Sequence, residues 1–209
     1  MLTISHSARS ASRSLGFTMV ELMVTLAVMA VLTAIALPSF QVFMAENRAS
    51  GKTMELVSAV KTAQSEALRR SRQVLFTFTD SSMPSTSLTG AINGKSWATV
   101  VLPLADAPSS VTPEVVSVGG YSEGTGDVVV DASTTAMCFM PDGSIKANSA
   151  TGVTGADCAV NTASSTSPGA QFLVQPSRGT KRWQISVSPA GKITSCLGTV
   201  GGGGVFTCS

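Results

Sequence analysis

Little in this 209-residue sequence has the residue types and spacing that chemistry requires. The single histidine, His6, sits in a polar N-terminal stretch, whereas Ser-His-Asp catalysis, Cys-His catalysis and histidine-ligated zinc all need an imidazole inside the folded domain. Asp127, Asp131 and Asp142 are the nearest approach to a metal or acid–base set. They fall in or beside turn signals and lack calcium-loop spacing, so they read as solvated turn residues. The glycine run 201–204 has no strand-and-helix setting and no following Lys-Ser/Thr. That excludes a phosphate loop and leaves a flexible or edge tail. What remains is one carboxylate, Glu21, inside an apolar run; four cysteines, Cys138, Cys158, Cys196 and Cys208; and a late basic group, Arg178, Lys181, Arg182 and Lys192, around Trp183. No metal and no cofactor is expected.

The elements that must position these residues begin with composition. The chain is 44% hydrophobic, 12% charged and 5% aromatic, with a mean hydropathy of +0.31, too apolar for a disordered chain. With so little charge, its apolar residues must be concentrated somewhere. Residues 1–16 are polar and carry Arg9 and Arg13 but no acid, whereas 17–37 is Phe, Met, Val, Leu, Ala and Ile broken only by Thr18, Glu21, Thr25 and Thr33. As a helix, 17–37 rises about 31 Å, enough to cross a hydrocarbon core of about 30 Å. The run is too long for a cleaved secretory signal, and no small-x-small site follows it, so it stays on the protein. Pro38 is expected to bend or interrupt the helix. The leader arginines put the N-terminus on the cytoplasmic side and the rest of the chain outside. In that oxidising setting disulfides outrank metal thiolates. Four cysteines permit three pairings; Cys138 with Cys158 and Cys196 with Cys208 are preferred because each closes a local loop. Glu21 is the misfit. A carboxylate deep in lipid costs about 2.5–3.5 kcal/mol and calls for a cationic partner, unless it lies near the headgroups.

Gly16-Phe17-Thr18-Met19-Val20-Glu21-Leu22, behind a short basic leader and ahead of a long apolar run with Pro38, resembles the processing signature of type IV prepilins and type II secretion pseudopilins. The resemblance implies cleavage between Gly16 and Phe17 by a prepilin peptidase and N-methylation of Phe17. It also implies that Glu21 pairs with an N-terminal amine as the helix, with Pro38, assembles into a filament. Processing there explains how an apolar segment is retained while residues 1–16 are lost. Arg9, Arg13 and His6 leave with the leader, so fourteen basic side chains become twelve, matching twelve acidic ones. The mature chain then has no histidine.

Residues 38–72 read as an amphipathic continuation of the helix. Leu56, Val60, Ala63 and Ala67, flanked by Val57 and Leu68, form its apolar stripe. Glu66 and Arg70 make an i,i+4 pair, and Arg69, Arg70 and Arg72 complement the dipole at its end. Residues 73–209 read as a β-rich head. Short β-branched or aromatic runs at 74–79, 97–102, 115–118, 128–130, 136–140, 172–174, 183–187 and 192–196 are separated by turn-rich clusters. Between them, 80–96 and 149–169 read as Ser/Thr/Gly-rich loops. Asp142-Gly143 and Pro189-Ala190-Gly191 each fold one strand back on the next as a hairpin. The expected fold class is α+β, a long N-terminal helix on an antiparallel β-sandwich-like head. The segment 59–72, the strand-turn Phe139-Met140-Pro141-Asp142-Gly143 and the hairpin 183–196 resemble the branch of minor pilins and pseudopilins called type II secretion protein H or FimT.

The function this implies is structural rather than enzymatic: a minor pilin or pseudopilin of a type IV pilus or type II secretion filament. Its implied partners are prepilin peptidase and neighbouring pilins. Its implied location is the inner membrane, single-pass with the head in the periplasm, and then the filament or its tip. Some FimT-like members bind DNA through a Gly-Arg-x-Arg motif, where this sequence has Gly191-Lys192-Ile193-Thr194. One arginine has become lysine and the other threonine. Arg178, Lys181, Arg182 and Lys192 have no acid among them, which would suit phosphate, with Trp183 stacking on a base. A solvated hairpin or protein-contact surface is the preferred reading of the group. A membrane-tethered periplasmic hydrolase is disfavoured by the missing histidine.

Overall fold

The computed structural model describes residues 16–80, 88–104, 106–108, 110–120, 128–160, 169–200 and 206–208, with 199–200 and 206–208 described by backbone alone. Helix α1 (Met19–Arg70) is followed by β1 (Val74–Thr79), β2 (Ser96–Val101), β3 (Glu114–Gly120), β4 (Val128–Ala132), β5 (Ala136–Phe139), β6 (Ile145–Lys146), β7 (Ala170–Pro176), β8 (Arg182–Val187), β9 (Ile193–Val200) and β10 (Phe206–Cys208). The chain divides into two compact units, residues 1–40 and 41–209.

In the first unit α1 opens on a cap. Thr18 Oγ1 accepts the Glu21 N–H and the Thr18 carbonyl accepts the Leu22 N–H, both at 3.2 Å. Glu21 falls in the first turn, where the helix dipole favours an acid. The hydroxyls of Thr25 and Thr33 donate to the carbonyls of Leu22 and Met29 at 2.9 and 2.7 Å, so both are satisfied without water. The expected interruption at Pro38 does not occur, because the helix runs through it. The proline removes only the bond that would reach the Ala34 carbonyl, and helix-forming residues on both sides propagate the rest.

In the second unit α1 buries Ala45, Ala49, Thr53, Leu56, Ala59, Val60, Ala63 and Ala67. The expected stripe is the C-terminal half of this face. Its N-terminal half is made of Ala and Thr, whose side chains give little hydropathy signal but let the helix lie close to the strands. Leu68 flanks the face on its solvent side. It is 51% exposed, lying about 100° around the helix from Ala67. The helix ends at Arg70, two residues earlier than expected. Ser71 takes φ 51°, and the N–H groups of Ser71 and Arg72 bond to the carbonyls of Leu68 and Ala67 at 3.4 and 3.3 Å, the paired closure of a Schellman motif.

The strands form two antiparallel sheets, ordered β3-β2-β1-β5-β6 and β10-β9-β8-β7-β4. Together with α1 this is an α+β fold. One core joins Leu56 and Val60 of the helix to Phe76, Phe78, Trp97 and Phe139 of the first sheet and Phe172 and Ile185 of the second. A few aromatic rings do much of this work: Phe76 stacks with Trp97 at 5.7 Å, and Phe78 meets Phe172 edge-on at 5.1 Å, across the two sheets. The first sheet is covered on its other face too. Leu75, Ala98, Val100 and Cys138 pack there against Val153, Ala156 and Cys158. That is why β1 is buried along its whole length, with the Thr77 and Thr79 hydroxyls bonded to main-chain carbonyls. Thus part of the expected loop 149–169 is a packed cover, bridged to the strand network at Cys158. Two strands went unanticipated. β6 is only two residues long, and β10 lies beyond the glycine run and pairs with β9.

Candidate processing and assembly site

Gly16, Phe17 and Thr18 are non-helical, so the Gly16–Phe17 bond lies just ahead of the capped helix. Phe17 is 79% exposed, and no atom stands within 4 Å of where a Gly16 side chain would begin. The fold of this chain therefore does not itself require glycine at 16. An exposed, non-helical bond is a form that a peptidase cleft accepts. The main chain of Glu21 is held by Thr18, while its side chain is exposed. Every residue of 17–40 is exposed, and this part of the helix is long and apolar enough to cross a membrane. So large an apolar surface on a chain marks a membrane or protein contact. Glu21 and Pro38 are both part of it. The leader, with His6, lies outside the described residues.

The late basic group is not one patch. The β7–β8 turn carries Arg178, whose Nη1 donates to Gln41 Oε1, and Lys181, whose Nζ lies 3.1 Å from Glu46 Oε2. Gly179, at φ +108°, presses against this carboxylate: a Cβ there would come within 2.8 Å of Glu46 Oε1. Burial raises the Glu46 pKa, but the charge and hydrogen bonds of Lys181, with the main-chain N–H groups of Lys181 and Thr180, outweigh it and hold the carboxyl below its ordinary value. Trp183 is partly buried against the core. Lys192 is exposed at the opposite end of β8, beside the β8–β9 turn. There Gln64 Nε2 donates to the carbonyls of Gly143 and Gly191, each at 2.8 Å. Gly191 has φ +81°, and a Cβ on it would lie 1.9 Å from the Gly143 oxygen, so the two turns touch. From Glu46 to Gln64 is 18 positions of helix, about 27 Å. The expected grouping of Lys192 with Arg178 and Lys181 is thereby corrected, and an acid absent from the local sequence is supplied by α1. Neither Glu46 nor Gln64 stood out in the sequence, since each is an ordinary polar residue of an amphipathic helix.

Cys138 and Cys158 form a disulfide with Cα atoms 5.6 Å apart. Cys196 is also disulfide-bonded; the side chain of Cys208, its expected partner, lies outside the described residues. Asp142 Oδ1 accepts from the N–H and hydroxyl of Ser144 at 2.9 and 2.6 Å, closing its turn, and Asp131 accepts from Gln175 at 2.7 Å. Asp127 and the glycine run 201–204 lie outside the described residues. Among the described residues no group of three or more His, Cys, Asp or Glu side chains is placed to hold a metal. At the end of α1, Glu66 receives Arg69 at 2.6 Å and Arg70 at 2.8 Å, and Arg70 also reaches Glu114 at 3.0 Å. Arg72 donates to the Leu102 carbonyl at 2.9 Å.

Residues 52–191 match the family model described as type II transport protein GspH, and residues 11–37 match the one described as the prokaryotic N-terminal methylation motif. Two fimbrial proteins of Pseudomonas aeruginosa are each 37% identical to the chain over 60 residues, 29% of this chain and 38% of their own length. The match thus spans little more than a third of those curated relatives. The crystal structure of the Pseudomonas aeruginosa type IV minor pilin FimU is similar at a TM-score of 0.43 and 14% identity, over 73% of this chain and 90% of that one.

Proposed function

Since the chain belongs to the family of type II transport protein GspH and carries the N-terminal methylation motif, we propose that it is a structural subunit, a minor pilin or pseudopilin, of a type IV pilus or type II secretion filament. A prepilin peptidase cuts between Gly16 and Phe17 and the new Phe17 amine is methylated. The run 17–37 holds the subunit in the inner membrane, with the head in the periplasm, until its helix joins neighbouring subunits in the filament or its tip. The observation that carries this reading is the exposed Gly16–Phe17 bond directly ahead of a capped helix whose apolar run, 17–37, is exposed throughout.

Mechanistically, the helix has to be stable in lipid and among other helices, and internally satisfied Thr25 and Thr33 serve both settings. Glu21 is the one ionisable side chain of the run. Pairing with an N-terminal amine fixes axial register, because an unpaired carboxylate in an apolar bundle is costly. Glu21→Ala is expected to leave membrane insertion and processing intact, read as loss of the mass of residues 1–16 and gain of one methyl group, and to reduce recovery in sheared filaments at least tenfold. Wild-type recovery would remove the pairing role. The DNA-uptake alternative loses support from the split basic group and from the partly buried Trp183. The hydrolase alternative gains none.

A further inference from the structure

The second sheet turns Phe172, Val174 and Ile185 into the core, so the residues between them face outward. Cross-strand register on that outer face puts Asp131 of β4 beside Leu173 of β7, and Leu173 beside Gln184 of β8. One step farther along, Ser133 meets Gln171, whose N–H donates to Ser133 Oγ at 2.9 Å. These five side chains line a cleft of about 240 Å³. That is smaller than the roughly 300–1,000 Å³ of a site for a drug-sized ligand, so the cleft suits one small ring. Its polar groups are held by one another. Gln175 Nε2 donates to Asp131 Oδ2 at 2.7 Å, and Gln184 Nε2 donates to Gln171 Oε1 at 3.0 Å. Gln171, Leu173 and Gln184 are partly buried, while Asp131 and Ser133 are exposed on the β4 side.

The donors and acceptors on offer decide the ligand. An ionised Asp131 only accepts. Ser133 Oγ already accepts the Gln171 N–H, so its own proton is what it has to give. A ligand must therefore donate at one point and accept at another. The two residues are two positions apart, at most about 7 Å along the chain, a gap that a six-membered ring with hydroxyls on opposite carbons bridges. Phosphates and carboxylates only accept and would meet the charge of Asp131, and among the described residues that line the cleft there is no cation. An ammonium group only donates and leaves the Ser133 proton unanswered. We propose that the cleft binds the ring of a neutral sugar, whose hydroxyls donate to Asp131 and accept from Ser133 and whose C–H groups rest on Leu173. The bonded pair Gln171 and Gln184 forms its wall. All of these residues belong to the unit 41–209, so the site stands whether or not the insertion reading does.

The test uses the full, isotopically labelled chain in micelles of lauryl dimethylamine oxide, a detergent without a sugar headgroup. It is titrated in separate experiments with methyl glucoside, methyl galactoside, methyl mannoside, N-acetylglucosamine, glucuronate and methylammonium. At least one of the neutral sugars is expected to move the side-chain amide resonances of Gln171 and Gln184 with a Kd of about 1–10 mM, the range of a ligand of about a dozen heavy atoms. The amide of Gln64, held between the Gly143 and Gly191 turns, should stay still. Asp131→Ala and Ser133→Ala, each checked for an unchanged Tm, should weaken the sugar about fivefold. If no neutral sugar moves the two glutamines at ten times that Kd, or if Gln64 moves equally, the assignment falls. That wild-type result decides even where a variant does not fold. Folded variants that bind as tightly as the wild type also overturn it. Should methylammonium or glucuronate move the two resonances while every neutral sugar leaves them unchanged, the cleft recognises charge and the sugar reading is wrong.

Discussion

Glu46 and Glu66 are carboxylates that α1 presents to basic side chains. At Glu46 burial is outweighed by Lys181 and the main chain of its turn; at Glu66 hydrogen bonds from Arg69 and then Arg70 hold the pKa down. Both groups are therefore more acidic folded than unfolded. As pH falls, the unfolded chain takes up protons first, so the stability they give is present above about pH 4.5 and is lost below it, down through the depressed values. Thermal unfolding followed by circular dichroism should show Tm falling below about pH 4.5, with a shallower fall in Glu46→Gln. Equal slopes would mean that the Glu46 pair adds nothing. Gln64 is a different case, because it donates to two turn carbonyls from two different sheets. Gln64→Ala leaves both without that donor and should cost about 1–3 kcal/mol in urea unfolding. A cost under about 0.5 kcal/mol would show that the Gly143 and Gly191 turns hold each other unaided.

Among the elements, α1 shows how far local rules carry. The apolar stripe from Leu56 to Ala67 follows from residue type and period and was legible, whereas the Thr18 cap and the back-bonds of Thr25 and Thr33 emerged only with the structure, the sequence showing these threonines as breaks in an apolar run. Of the two outcomes expected at Pro38, the interruption did not occur, because a missing donor is a local fact whereas continuity depends on the residues on both sides. The C-terminus is a place where residue and conformation disagree. Ser71 occupies a left-handed position that glycine adopts without penalty. Ser71→Gly should raise stability by about 0.5–1 kcal/mol, measured as a shift in the urea midpoint at constant slope. An unchanged or lowered midpoint would show that Ser71 is not strained. Among the strands, β1 reads Val-Leu-Phe-Thr-Phe-Thr and was recognised by its β-branched and aromatic content. That it is buried on both faces was not legible, since threonine is equally at home facing water. β6 and β10 are too short to leave a periodic signal.

For the molecule as a whole, the 138–158 disulfide ties a cover segment to the outer face of the first sheet. Replacing both cysteines by serine should cost about 3 kcal/mol, the loop-closure value for a separation of 20. Urea unfolding under oxidising conditions measures it. A loss below about 1 kcal/mol would mean that Val153 and Ala156 hold the cover without the bridge. The sequence alone determined what depends on neighbours along the chain: the Gly16-to-Leu22 motif, an apolar run long enough to span a bilayer, the Asp142-Gly143 and Pro189-Ala190-Gly191 turns, and most strands. Only the tertiary structure decided which distant residues meet. It set Glu46 under Lys181, placed Gln64 between two turns, and separated Lys192 from Arg178 by the length of a strand. Residue spacing encodes the period of a single element, whereas these contacts depend on how β8 lies along α1. That arrangement is fixed by the packing of Leu56, Val60, Phe172 and Ile185 in a shared core, which no local pattern records.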